Sequence, residues 1–198
     1  MRDERIPEPS RWVFLLGIIG CVLVAHGLWI PTKAVLAQGL LESAWRKSVL
    51  DREPVPPWPW ADTWPVARLR VMSHQIDQVI LEGAGGSVLA FAPGRDALSQ
   101  PTHTVIAGHR DTHFRFLEHM QVGDELELES LFGVVDRYRF AWSVVVDHRN
   151  LDVLESDVDA LTLVTCWPFD AVVPGGPLRY VVRAELVKPV SVAFASSE

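Results

Sequence analysis

From Ala67 onward apolar and polar residues change places every second position, and this constrains the fold more than any other property of the chain. Leu69 and Val71 alternate with Arg68 and Arg70, Leu126 and Leu128 alternate with glutamates, and Tyr138, Phe140, Trp142, Val144 and Val146 keep the same period through a long run. A period of two puts successive side chains on opposite faces of a pleated strand, so one row is available for a core. Eight strands are predicted on this basis, at 67–72, 76–81, 87–91, 104–107, 124–129, 134–147, 161–166 and 178–187. Short strands at such spacing predict an all-β barrel or sandwich. One helix is expected among them, N-capped by Asp111 or Thr112 and carrying Phe114, Leu117 and Met120 on one side.

The amino-terminal segment follows different rules. Trp12 to Ile30 is an uncharged apolar run, long enough to cross a bilayer, with Trp12 and Trp29 where interfacial aromatics sit. Its bulky end, Leu28-Trp29-Ile30-Pro31, lacks a small-residue cleavage site, which predicts a retained anchor over residues 12–30 rather than a removed signal. Arg2, Arg5 and Arg11 before the span are balanced by Lys33, Arg46 and Lys47 after it, so charge leaves the orientation open. A short leader before a whole domain predicts residues 1–11 in the cytoplasm and the domain outside, a single-pass protein of the cytoplasmic membrane. His26, within the span, reads as a polar residue with a helical or interfacial partner.

Residues 31–66 read as a linker in two parts. Val35, Leu36, Leu40, Trp45 and Val49 give Ala34 to Leu50 a helical pattern suited to a membrane surface or to the domain. The four prolines between Pro54 and Pro59, with Trp58 and Trp60, then enforce a stiff extended connector that packs on something. The domain is expected over 67–190, with a tail at 191–198. The net charge of −7 and the lack of a basic patch argue against nucleic acid as a partner.

Cys21 lies in the span and Cys166 in the domain, so no disulfide is expected between the two cysteines of the chain. A buried small apolar residue is the ordinary reading of such a cysteine, and a used thiol is the other. Cys166 ends the strand Thr162-Leu163-Val164-Thr165-Cys166, and Thr162, Val164 and Cys166 share one face of it. After a loop containing Pro168, Pro174, Gly175 and Gly176, the next strand places Arg179 on the face opposite Leu178, Tyr180 and Val182, beside the Cys166 strand. A cation there favours thiolate and can hold an oxyanion or a carbonyl. His109 follows Ile106-Ala107-Gly108 at a strand-to-helix corner, and the residues alone leave it open between a structural and a catalytic role.

Taken together, the stretch from about Arg68 to Val187 resembles the sortase family of membrane-anchored cysteine transpeptidases. Thr162-Leu163-Val164-Thr165-Cys166 meets the family's nucleophile signature, Ile106-Ala107-Gly108-His109 its histidine motif, and Arg179 stands where its arginine does. The resemblance implies an eight-stranded sortase-like β-barrel with one or two short helices behind an amino-terminal transmembrane helix, and no cofactor. It further implies that Cys166 attacks a carboxy-terminal sorting motif of a secreted protein, forming a thioester that an acceptor amine resolves. His109 would carry the proton, Arg179 would hold substrate or oxyanion, and Thr165, Thr162, Gly108 and His113 would support the site or bind substrate. Gly108 to Leu117 and Cys166-Trp167-Pro168-Phe169-Asp170 look like the group found in Gram-negative proteobacteria, whereas Ala92-Pro93-Gly94-Arg95 departs from the Gly-Pro-Gly-His that relatives often carry. Specificity is expected in loops 148–160 and 167–177.

Two other readings compete. His109, Asp111, His113 and Cys166 could form a zinc site, which requires His109 and His113 to share a helix face. Alternatively, a non-catalytic tethered domain could bind a partner through Trp58, Trp60 and Trp64, provided these are exposed. Arg110, Arg115 and Arg183 are possible extra cations, with Arg183 on the face of Arg179 and a solvated strand face as its default. His74, His103, His119 and His148 have no nameable partner and are expected at the surface.

Overall fold

The computed structural model describes residues 11–150, 159–173 and 175–187. The expected amino terminus before Arg11, the tail at 191–198 and most of the 148–160 loop lie outside the described residues. Residues up to Gly39 form one compact unit and residues from Leu40 onward a second.

Helix α1 spans Arg11–Asp51 without interruption, 41 residues and therefore about 60 Å of helix. By length and composition it can cross a membrane. Trp12, Phe14, Leu16, Ile18, Val22 and Leu23 present exposed apolar side chains all round this part of the helix, the pattern of a lipid-facing segment. Lys33 Nζ lies 4.5 Å from the ring centre of Trp29, an arrangement suited to an interface where an amphipathic ring and a snorkelling cation meet water.

In the second unit the end of α1 turns amphipathic, as Val35 to Val49 predicted, and it lies on the domain. Leu41 and Trp45 are buried with Val79, Leu81, Val88, Ala92 and Leu131. Burial of two such side chains stabilises this docking by about 2–3 kcal/mol each. Glu42 reinforces it by accepting from Arg68 Nη1 at 2.9 Å. The connector is pinned as its composition suggests: Ser48 Oγ accepts from Val55 N, Thr63 Oγ1 donates to Glu82 O, and Trp58 packs edge-on against Phe91.

Eight strands close into a barrel: β1 Pro65–Val71, β2 Ile76–Glu82, β3 Gly94–Arg95, β4 His103–Ala107, β5 Glu125–Ser130, β6 Val135–Asp147, β7 Ala160–Cys166 and β8 Leu178–Leu186. Their order around the barrel is β1-β2-β3-β4-β7-β8-β6-β5, with β5 pairing back to β1. The pairs β2/β3 and β4/β7 are parallel and the others antiparallel. The inward rows meet in one core of Leu69, Val71, Ile80, Ile106, Leu126, Phe140, Leu161, Leu163 and Val182, plugged by Phe114, Phe116 and Leu117.

Two predicted elements are corrected. Residues 87–91 are not a strand: α2, Gly86–Leu89, takes their place, and the third strand is the two-residue β3 further on. Gly85 and Gly86 let the chain turn, and the amides of Val88, Leu89 and Ala90 are satisfied locally by Gly85 and Gly86 carbonyls rather than by a neighbouring strand. Where β3 begins, a Cβ on Gly94 would overlap the Gly83 carbonyl oxygen, so this close parallel approach needs glycine. The predicted α-helix is a 3₁₀ turn, Arg115–His119, whose cap position is Phe114 rather than Asp111 or Thr112. Burial of Phe114, Leu117 and Met120 in the core was read correctly and dominates this segment over any capping bond.

Candidate active site

Cys166 is the last residue of β7 and pairs directly with Arg179 in β8. β4 runs parallel on the other side of β7, with Ala107 opposite Val164, so the chain leaves β4 at Gly108 beside the thiol strand. Two contacts lock that exit: Gly108 N donates to Val164 O at 3.1 Å, and Thr165 Oγ1 donates to Gly108 O at 2.7 Å. Glycine is required here as well, because a Cβ would stand about 2.8 Å from the Phe114 ring. His109 is thereby held by the same strand that carries the thiol, and its carbonyl accepts from Phe114 N at 2.9 Å.

Cys166, His109 and Arg179 line one open pocket of about 350 Å³ together with Thr165, Gly108 and Val164. Its remaining wall comes from Ala84, Leu89, Asp96, Leu98, Val105, Ala107 and His148. Cys166 is half-buried and reduced, and His109 is exposed. Arg179 Nη1 donates to Gly176 O at 2.7 Å and to Leu178 O at 3.0 Å, which folds the guanidinium back over its own loop. Such an arrangement offers a nucleophile, a proton carrier and a cation around a cleft large enough for a peptide segment.

The loop between β7 and β8 is built from both sides of the site. Trp167, Phe169 and Tyr180 form a three-ring cluster with centroids 5.3–5.6 Å apart. Arg110, only 8% exposed, donates to Ala171 O and Val173 O at 2.7 and 3.1 Å. This buried arginine is therefore a clamp that ties the histidine corner to the loop after the cysteine.

Thr162 and His113 do not line the pocket. Thr162 is fully buried and its hydroxyl lies 2.7 Å from His103 Nε2. His113 is half-buried, its carbonyl accepts from Gln78 Nε2, and burial and then the nearby His109 lower its pKa. Expectations for three residues, His103, Arg183 and His74, are corrected. His103 and Arg183 are 1% and 4% exposed, on the face of β4 and β8 that also carries the valine cluster of Val105, Val144, Val164 and Val181. His74 has a partner, Asp124 Oδ2 at 2.8 Å. His148 is at the surface as expected, about half exposed, but it has a partner, with Nδ1 3.0 Å from Pro177 O, and it lines the pocket. No period or motif marked it; its position at the end of β6, against the loop before Arg179, is a product of strand order. His119 is exposed as expected.

Among the described residues no three His, Cys, Asp or Glu side chains are grouped to hold a metal ion. His109 precedes the 3₁₀ turn, so it shares no helix face with His113.

Residues 69–187 match the family described as the sortase domain. The chain belongs to the sortase family. Sortase D of Bacillus subtilis (strain 168) is 33% identical over 85 residues, 42% of each chain, so this sortase matches less than half the length of that relative. A solved Clostridium perfringens Sortase D5 transpeptidase superposes with a TM-score of 0.61 at 24% identity, covering 78% of this chain and 99% of that one. Sortase A from Corynebacterium diphtheriae gives 0.59 at 23%, over 79% and 86%. At these identities the structural matches show the fold, an eight-stranded sortase-like barrel.

Proposed function

We propose that this sortase is a membrane-anchored cysteine transpeptidase with Cys166, His109 and Arg179 as its catalytic groups. The observation that carries the proposal is that these three side chains, from three separate chain segments, line one pocket. The Cys166 thiolate adds to a backbone carbonyl within a carboxy-terminal sorting motif of a secreted protein, and Arg179 stabilises the oxyanion. His109, as imidazolium, gives its proton to the departing amine, leaving a thioester and neutral imidazole. An acceptor amine then attacks the thioester, His109 takes its proton, and the thiolate is released. Thr165 supports the site through Gly108. Thr162 braces the sheet below the site through His103, and His113 lies close enough to His109 to feel its charge.

The apolar α1 supports anchoring in the cytoplasmic membrane with the barrel on the outer side. The wording of 108–117 and 166–170 supports the narrower placement in the proteobacterial group, with one or few dedicated substrates. The tryptophan-mediated binding reading is disfavoured because Trp58 packs on Phe91 and Trp64 is half-buried, leaving Trp60 exposed.

Full-length protein in detergent micelles, incubated with a library of sorting-motif peptides and a small amine, is expected to give acyl-enzyme and transfer product. The Cys166→Ala protein should give neither. Equal product from both would refute the mechanism.

A further inference from the structure

Two histidines line the pocket that holds Cys166, and they are held differently. At this end of the barrel the strands run in the order β4, β7, β8, β6. His109 therefore flanks the thiol from the β4 side, and His148, one residue past β6, flanks it from the other side with Arg179 between. The ring of His109 makes no hydrogen bond with a described residue, whereas His148 is fixed: its backbone N and its Nδ1 both meet Pro177 O, at 2.8 and 3.0 Å. A carbonyl only accepts, so Nδ1 carries a hydrogen, and in the neutral ring Nε2 is then a bare acceptor. Among the described residues nothing bonds to that Nε2.

The charges around it are mixed. Asp147 Oδ1 lies 3.5 Å from His148 Nδ1 and is itself engaged by Arg149. Asp96 is the one carboxylate among the described residues lining the pocket; its Oδ1 accepts from Leu98 N and it makes no ion pair with a described residue. A carboxylate in a cleft with largely apolar walls raises the local concentration of cations. Proton counting gives that cation a use. A primary amine is an ammonium at neutral pH and loses two protons on its way to an amide nitrogen. After acylation His109 is a neutral imidazole, with room for one of them.

We propose that His148 is the base for the other proton, and that the acceptor is a primary alkylammonium. This rests on the transpeptidase reading of Cys166 and His109. Nε2 of His148 takes a proton from the ammonium and leaves the free amine, which the neighbouring Arg179 charge favours over the cation. The amine lone pair adds to the thioester carbon, the C–S bond breaks to return the Cys166 thiolate, and His109 takes the second proton from nitrogen. One ammonium and one thioester give one amide, one thiolate and two imidazolium ions, and His148 returns its proton to water. The clasp on Pro177 O keeps the hydrogen on Nδ1, so that Nε2 is the nitrogen left to act.

The chain has two cysteines, so in full-length Cys21→Ser protein in detergent micelles Cys166 is the only thiol. p-Nitrophenyl acetate acylates a reactive thiol without any sorting motif, and intact mass follows the acetyl thioester as added amines resolve it at neutral pH. n-Propylammonium must lose a proton before it attacks; hydroxylamine is already neutral. His148→Asn keeps an N–H donor for Pro177 O and lacks the base. It should slow resolution by n-propylammonium about 10²-fold, the lower end for one general base, with acetylation and resolution by hydroxylamine within about threefold of the parent. His148→Gln is the second variant should the first misfold, with the same split expected. Equal resolution by n-propylammonium in parent and folded variant would overturn the proposal. So would equal slowing with both amines, which would leave His148 only a brace for the loop before Arg179. A parent protein whose Cys166 is not acetylated would instead overturn the transpeptidase reading, and this proposal with it.

Discussion

The outer face of β7 and β8 carries two similar sets of side chains. At the open end Cys166 faces Arg179, with His109 just past the end of β4. Four residues deeper Thr162 faces Arg183, with His103 at the start of β4. Both sets pair a small nucleophilic side chain with an arginine and a histidine on the same three consecutive strands. Burial separates them. In the deep set Arg183 Nη1 donates to His103 Nε2 at 3.2 Å, Thr162 Oγ1 lies 2.7 Å from the same nitrogen, and Arg183 stacks over Trp142. Since arginine can only donate, His103 is neutral with its proton on Nδ1, and a ring fixed that way cannot shuttle protons. The outer set is open to a pocket, and its cation is tethered to carbonyls that a substrate can displace. Similar sets of residues are thus a structural bolt where they are buried and the proposed reactive site where they open to a pocket.

The largest expected difference between the two sets is at the β7 residue. Cys166→Ala should lower transfer at least about 10³-fold with stability within about 0.5 kcal/mol, because the thiol is half-buried and makes little of the core. Thr162→Val should do the reverse, costing about 1–2 kcal/mol in urea unfolding by removing the hydroxyl that meets His103 Nε2, with turnover per folded molecule within about threefold. A Thr162 variant that folds normally yet fails to turn over would merge the two sets into one site.

The arginines give the next contrast. Arg179→Met is expected to lower kcat/KM about 10²-fold, the scale of losing one oxyanion donor, and to leave the melting curve unchanged. Arg183→Ala should cost about 3 kcal/mol through the lost stem packing, the Trp142 contact and the bond to His103. Paired thermal melts and single-turnover assays on the two proteins check both statements.

Protonation probes the deep set alone. Burial and then the Arg183 charge lower the His103 pKa to about 4, from an ordinary value of 6.5. The unfolded chain therefore binds the proton first as pH falls, so stability is complete above about pH 6.5 and drains away on acidification towards pH 4. Between pH 7 and pH 5 this amounts to about 2 kcal/mol. His103→Gln, which keeps a side-chain amide near Thr162, should flatten that slope relative to the parent by about this amount. A parallel pair of curves would mean that His103 does not titrate as its surroundings require.

How legible these two sets were in the sequence depends on what each property is made of. The period of two recovered seven of the eight strands near their observed positions, because alternation follows from the pleat itself. It failed at 87–91, where Val88, Leu89, Ala90 and Phe91 form a short apolar run that a helical turn and a strand read equally well until the glycines before it are weighed. The juxtaposition of Cys166 and Arg179 was legible because one antiparallel connection sets it. The placement of His109 beside them needed the parallel β4/β7 pair, a long-range fact that no local pattern carries. Burial of His103 and Arg183 was invisible for the same reason: alternation says which face a residue takes and says nothing of what covers that face. His148 was missed as a site residue, and Arg110 was named only as a possible extra cation, because the role of each arises from the loop between β7 and β8 folding back on it.

The smallest effect should come from the link between the outer set's two halves. Thr165 Oγ1 holds the Gly108 carbonyl, and Gly108 delivers His109 to the strand that ends in Cys166. Thr165→Val keeps the shape and removes that bond, which costs about 1 kcal/mol of stability. If the bond also sets the distance between imidazole and thiol, kcat falls about tenfold while KM holds, because positioning of a proton carrier matters in the transition state rather than in binding. Thr165→Ser restores the donor without the methyl and should recover kcat before it recovers stability. Recovery of stability without kcat would show that the methyl group packed in the barrel, rather than the hydroxyl, fixes the histidine, and that the frame joining β4 to β7 is held by packing.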